Sequence, residues 1–275
     1  MNSSNNPSGQ TPPPARLLIV EEALRSVKGH WFEYIRTIVD ACRAAGDDVV
    51  VAAHQQADER ILQELQAKPV IPFSAWDKIY DSPSSLKRYA GVFQHNWRFY
   101  RAVDSLIAKE ESFDCILAPT LLIHHLMAWA ALARKHRGKK FKRMVLFFVN
   151  GQGIYQGAGN PVQFPRHPKT ALFRAVLRSF RPLVASGEVI LAAETEGMAR
   201  EYTEFCGIEF KCFPHVVRFD GAPDSAAPQA DKITLSCFGF ARHEKGSDLL
   251  QNAMLEIRRR RPDLPIRFMV QWLDD

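Results

Sequence analysis

Residues 233–271 read ITLSCFGFARHEKGSDLLQNAMLEIRRRRPDLPIRFMVQ, and the change of period inside that stretch decides the fold. Residues 233–238 are a short apolar, β-branched run, which suits a buried strand. Residues 239–246 form a polar loop with Gly239 and Gly246 at its ends and Arg242 and Lys245 between them. From Ser247, placed as an N-cap, Leu249, Leu250, Ala253, Met254 and Ile257 fall on one helical face. Residues 266–270 return to strand. A strand, loop, helix and strand in this order make a βαβ unit, with the loop at the carboxyl end of its first strand. Free N–H groups and the positive end of the helix dipole meet there, so the loop suits an anion. Arg242 and Lys245 add two full charges. Spacing alone leaves open a solvated loop with two ordinary cations.

Working outward, the same alternation fills the chain before it. Strands are predicted at 17–20, 49–53, 70–73, 115–118, 144–149, 189–193 and 209–213. Helices are predicted at 31–45, with an apolar stripe of Trp31, Tyr34, Ile35, Ile38 and Cys42, and at 84–109, 121–134, 169–185 and 194–205. The continuous apolar run at 144–149 marks a central parallel strand. The fold class is therefore α/β. A Rossmann-like, doubly wound parallel sheet occupies 16–218, and the beginning of a second Rossmann-like domain occupies 232–275. Residues 1–15, rich in Asn, Ser and Pro, read as a disordered tail, and the small, Pro-rich 219–231 as a linker.

The stretch FGFARHEKGSDLL resembles the loop that opens the C-terminal domain of family-4 glycosyltransferases, which have the GT-B fold. Gly239, Glu244, Lys245, Gly246 and the Leu249-Leu250 pair stand at matching places. The resemblance implies that Lys245 and Arg242 hold the diphosphate of a nucleotide-sugar donor. The family's Arg usually follows the glycine directly, where this chain has Phe240. VKGHWFEY resembles the family's first glycine-containing loop, which implies a place in the interdomain cleft for Gly29 and His30, although one glycine stands where two are usual. Asn150 ends the 144–149 strand, where many relatives carry a His that contacts the donor sugar. The segment closing at FPHVV is similar to the one that ends the family's N-terminal domain.

Composition sets wide bounds. The 275 residues are 46% apolar and 24% charged, ordinary globular material with a net charge of +6. That balance fits anionic substrates, anionic lipid or nucleic acid alike. Five scattered cysteines without a C-x-x-C spacing suit reduced, buried thiols and a cytoplasmic protein. His124 and His125 sit side by side on a helix and should point apart, with no Cys or carboxylate suitably spaced, so no metal is expected. The aromatics of the 84–109 helix (Tyr89, Phe93, Trp97, Phe99, Tyr100) read as core packing with a partly exposed face rather than a sugar platform. The basic run 134–143 and the basic amphipathic segment 169–181 suggest peripheral contact with an anionic membrane. Aromatics do not alternate with these cations, so nucleic acid is not an expected partner.

The resemblance to family-4 glycosyltransferases implies the function as well: a glycosyltransferase. It would move a sugar from a nucleoside-diphosphate donor to an acceptor with retention, and without a cofactor. The alternative is a catalytically inactive remnant that binds anions or a membrane surface. In the family a Glu pair spaced by seven positions lies further along than Asp275, so the resemblance leads to the expectation of a fragment, truncated within the C-terminal domain.

Overall fold

The computed structural model describes residues 13–28, 30–74, 85–154, 162–214, 216, 233–237 and 247–270. Gly29, Gly239, Arg242, Lys245 and Gly246 lie outside them. The chain divides into two compact units, Met1–Arg218 and Phe219–Asp275.

The first unit is built on β1 (Arg16–Val20), α1 (His30–Ala44), β2 (Asp48–His54), α2 (Glu59–Glu64), β3 (Lys68–Ile71) and α3 (Ser85–Lys109). It continues with β4 (Phe113–Leu121), α4 (Ile123–His136), β5 (Phe141–Phe148), α5 (Pro168–Arg178), α6 (Arg181–Ala185), β6 (Val189–Ala193), α7 (Glu196–Cys206) and β7 (Lys211–Cys212). All seven strands are parallel, in the order β3-β2-β1-β4-β5-β6-β7. The direction of winding reverses between β1 and β4, where Leu18 pairs with Ile116 and Ile19 with Leu117.

Each strand's period of two divides its side chains between two helical layers. Leu18, Val20, Val50 and Ala52 join the core under α3, α4, α5 and α7. Ile19, Val49, Val51 and Ala53 join the one under α1 and α2. The sheet is covered on both faces, as a parallel sheet requires. On α1 Tyr34 and Ile35 are buried as the sequence pattern suggests, but Phe32 and Val39 complete the buried stripe, while Trp31, Ile38 and Cys42 are half-buried. The predicted helix 169–185 is broken: Ser179 caps α5, Phe180 turns into the core, and Pro182 opens α6. Six-residue α2 was not predicted, because it is too short to display a period.

The amino edge of the sheet is closed by ion pairs. Arg16 reaches Asp48 at 2.7 Å and Glu110 at 2.9 Å, Lys68 also meets Glu110, and Lys142 meets Asp114 at 2.6 Å. Much of the 134–143 run is engaged in the same manner. Lys135 pairs with Asp104 and Arg137 with Glu188, while Lys140 donates to the Ala108 and Glu110 carbonyls. Several cations of this run thus tie neighbouring elements together while remaining at the surface, Lys142 81% exposed.

The second unit contains β8 (Ile233–Cys237), α8 (Ser247–Arg260) and β9 (Ile266–Val270), with β8 and β9 parallel and in register from Ile233↔Ile266. The βαβ order predicted for residues 233–270 is present. All five cysteines are free; Cys206 is buried, Cys42, Cys115 and Cys212 are half-buried and Cys237 is exposed, so burial is less complete than the sequence suggests. No helix among the described residues is long and apolar enough to cross a membrane.

Candidate functional site

In an open parallel sheet, the crevice at the reversal of winding lies outside the carboxyl ends of the strands. Here it is framed by the residues after β1 and those ending β4. Glu21 and Glu22 follow directly on the apolar run of β1 and are 1% and 2% exposed. The chain cannot turn away to solvent at this point. The Glu21 N–H donates to the Ala52 carbonyl at 3.0 Å, the His54 N–H donates to the Leu24 carbonyl at 3.4 Å, and Leu24 is itself buried. The turn is thus folded over the end of β2 and takes both carboxyl groups inside.

The two carboxyls have different surroundings. Glu21 Oε1 accepts from the Ala23 N–H at 2.8 Å. Burial pushes this carboxyl up to about 8, and neighbouring Glu22 pushes in the same direction, against the Ala23 N–H and the Thr120 hydroxyl. Glu21 is therefore protonated at neutral pH. Thr120 lies near the end of β4 and is 4% exposed. It is close enough to oppose the shift, yet neither its Oγ1 nor Glu21 Oε2 completes a hydrogen bond of ordinary geometry among the described residues. Two buried polar groups thus lie side by side at the switch point. Tyr34 of α1, pushed up to about 12 by burial and by Glu21 and Glu194, remains a neutral phenol beside them.

Glu22 instead accepts from His95 Nε2 of α3 at 2.9 Å, with both side chains 2% exposed. The His95 ring has the rings of His124 and His125 at 6.2 and 6.3 Å. The adjacent histidines of α4 therefore turn toward one common neighbour and not apart, because helix α3 packs over both. Burial chiefly, with His95 contributing, holds His124 and His125 down at about 4, so both are neutral. Among the described residues no group of three or more His, Cys, Asp or Glu is arranged to hold a metal ion. Asn96 braces the two helices, accepting from the Ala128 N–H at 3.0 Å and donating to the Val92 carbonyl at 2.9 Å.

Beyond β5, the Asn-Gly-Gln-Gly loop is clamped from α7. Glu201, 5% exposed, accepts from the N–H groups of Gln152 and of Gly153, the latter at 2.7 Å, and the Tyr202 hydroxyl donates to the Asn150 carbonyl at 2.5 Å. Helix α7 is fixed in turn by its caps: Thr195 accepts from the Met198 N–H, and Gly207 takes the left-handed φ of 69° that ends the helix. A side chain at Gly153 would meet Val162 Cγ2 at 2.1 Å, so the glycine is required by close approach. Asn150 itself is exposed, with its amide directed by a held backbone.

Of the residues singled out by sequence, Asn150 and His30 are described. His30 is exposed at the start of α1, its ring 4.2 Å from that of Trp31. Lys245, Arg242, Gly239, Gly246 and Gly29 are not described. Glu21, Glu22, Thr120, His95 and Glu201 were missed. A pair of carboxylates directly after an apolar strand was the available signal for the first two, whereas nothing local marks the others.

No protein-family model matches the sequence, and no curated protein matches it. Solved structures share its fold. The glycotransferase of kitacinnamycin aligns over 94% of this chain and 66% of its own, at 13% identity and a TM-score of 0.52. The glycosyltransferase SnogD from Streptomyces nogalater aligns over 94% and 67%, at 19% identity and 0.47. A Listeria monocytogenes protein assigned as a UDP-N-acetylglucosamine 2-epimerase aligns over 95% and 64%, at 14% identity and 0.47. The chain spans 64% to 67% of the length of these proteins. The first likeness and the strand order agree on an α/β, GT-B-like fold.

Proposed function

We propose that the chain takes part in transfer of a sugar from a nucleoside-diphosphate donor to an acceptor hydroxyl, with retention at the anomeric carbon. The observation that carries this reading is the parallel sheet of GT-B-like strand order, whose switch point lies between β1 and β4. Glu21 and Thr120, both buried, hold the turn after β1 against the end of β4 and so shape the floor of that crevice. His30, at the start of α1, and Asn150, in the loop after β5, lie on the same carboxyl edge. On the donor side, the resemblance of residues 238–250 supports Lys245 and Arg242 as the diphosphate clamp, with Gly239 and Gly246 allowing close approach. Charge developing on the departing diphosphate would be stabilised by these cations and the start of α8.

Calorimetry with UDP and GDP tests the donor half. Lys245→Ala should weaken nucleoside-diphosphate binding by ~1.5–3 kcal/mol, the range for a charge-assisted hydrogen bond, and Arg242→Ala by the same or less. Affinity unchanged in both variants would remove the clamp. Nucleotide binding without turnover of any nucleotide sugar would favour a binding module over an enzyme.

A further inference from the structure

We propose that the face formed by α3, α4 and α5 docks on an anionic lipid bilayer, with the α3 aromatics entering the headgroup region. Tyr89, Phe93 and Trp97 are spaced by four along α3 and are 36%, 54% and 59% exposed. One face of the helix therefore presents three large rings to solvent. The next step of four is Arg101, also exposed.

The apolar surface continues across the neighbouring helices. A narrow slot of about 30 Å³ lies between Tyr89, Phe93, Met127, Leu172 and Val176, with Lys169 on its wall. An open groove of about 540 Å³ runs past Phe93, Trp97, Tyr100, Met127 and Ala131. The two share Phe93 and Met127, so they form one surface. Leu172 of α5 is 42% exposed beside it.

Charge selects the occupant. Helices α4 and α5 contain no Asp or Glu, and α3 contains none before Asp104. From Cys115 through Gly187 every charged residue is Lys or Arg. The opposite layer differs: α1 and α2 carry mixed pairs, Glu33 with Arg36 and Arg60 with Glu64. A second copy of the chain would set cation against cation on this face, which disfavours self-association. An anionic bilayer accepts both features, since Trp and Tyr settle at the interface and Lys and Arg meet the lipid phosphates. Lys135 of α4, half exposed and 5.7 Å from the Tyr100 ring, borders the same face. Docking of this kind is independent of the glycosyl-transfer reading.

Flotation of the full chain with phosphatidylcholine vesicles, with and without phosphatidylglycerol, tests it directly. Binding should require phosphatidylglycerol and weaken with salt. Lys169→Gln should lower the partition coefficient about fivefold, one surface cation's contribution. The double variant Phe93→Ser, Trp97→Ser should lower it at least about tenfold while keeping the wild-type circular dichroism. Quenching of tryptophan fluorescence by brominated lipid should fall in Trp97→Phe. Binding indifferent to lipid charge, or unaffected by the double variant, would overturn the proposal. So would an oligonucleotide held by these residues, or a dimer that the double variant dissolves in sedimentation, with vesicles ignored.

Discussion

Glu21 and the two α4 histidines give the chain a pH dependence whose sign can be worked out. Burial raises Glu21 from 4.5 to about 8, so the folded chain keeps a proton that the unfolded chain gives up. Its contribution to stability is fully present below about 4.5 and is lost as pH rises through about 8. His124 and His125, lowered from 6.5 to about 4, act in the opposite sense: their contribution is present above 6.5 and lost as pH falls through about 4. Two rising contributions exceed one falling contribution below 6.5, and only the falling one remains above it. Stability should therefore peak near pH 6.5. Glu21→Gln keeps a neutral side chain of similar shape, so it should retain the acid limb and flatten the alkaline one. The gap over wild type should reach a few kcal/mol above pH 8, since each tenfold change in proton affinity is worth ~1.4 kcal/mol. Urea unfolding across the range measures both limbs, and parallel alkaline limbs would mean that Glu21 is not held neutral.

Among the elements, the α7 clamp on the loop after β5 is the most exacting. Glu201 occupies two successive N–H groups that would otherwise need another acceptor, and Val162, 2.1 Å from where a Cβ would stand, leaves no room for a methyl group at Gly153. Gly153→Ala should cost ~1–3 kcal/mol, the usual penalty for overpacking, and should open the loop before the sheet. A lowered thermal midpoint together with faster amide exchange at Gln152 would be the signature. An alanine variant with unchanged exchange would show that the loop adapts. The sequence pattern displays this loop only as Asn-Gly-Gln-Gly after a strand; the carboxylate that orders it comes from about fifty residues further on.

For the whole molecule, every buried residue assigned to a core cluster lies within Met1–Arg218. The second unit buries little among its described residues: β8 is exposed along its length, and Leu249 and Leu255 are 63% and 61% exposed. One helix and two strands cannot cover both faces of a parallel pair, and so small a unit sits where burial barely offsets chain entropy. A chain ended at Arg218 should accordingly unfold cooperatively, within a few degrees of the full chain's main transition, a window of about 1 kcal/mol. Thermal circular dichroism of both chains decides this. A shortened chain that melts broadly or aggregates would assign the second unit a share of the first unit's stability.

Periodicity alone determined the α/β class, the order of the seven strands along the chain and the βαβ unit at residues 233–270, because alternation of two and 3.6 is written in neighbouring residues. It also predicted an apolar stripe on α1 and a partly exposed one on α3. Local pattern did not show that Phe32 and not Trp31 enters the core, that His124 and His125 share His95, or that Lys135, Arg137 and Lys142 pair with carboxylates. Nor did it mark Glu21 and Thr120, about a hundred residues apart, as neighbours. Only the tertiary structure decided those points, since the environment of a buried charge is set by which strands and helices pack around it, and those come from distant parts of the chain.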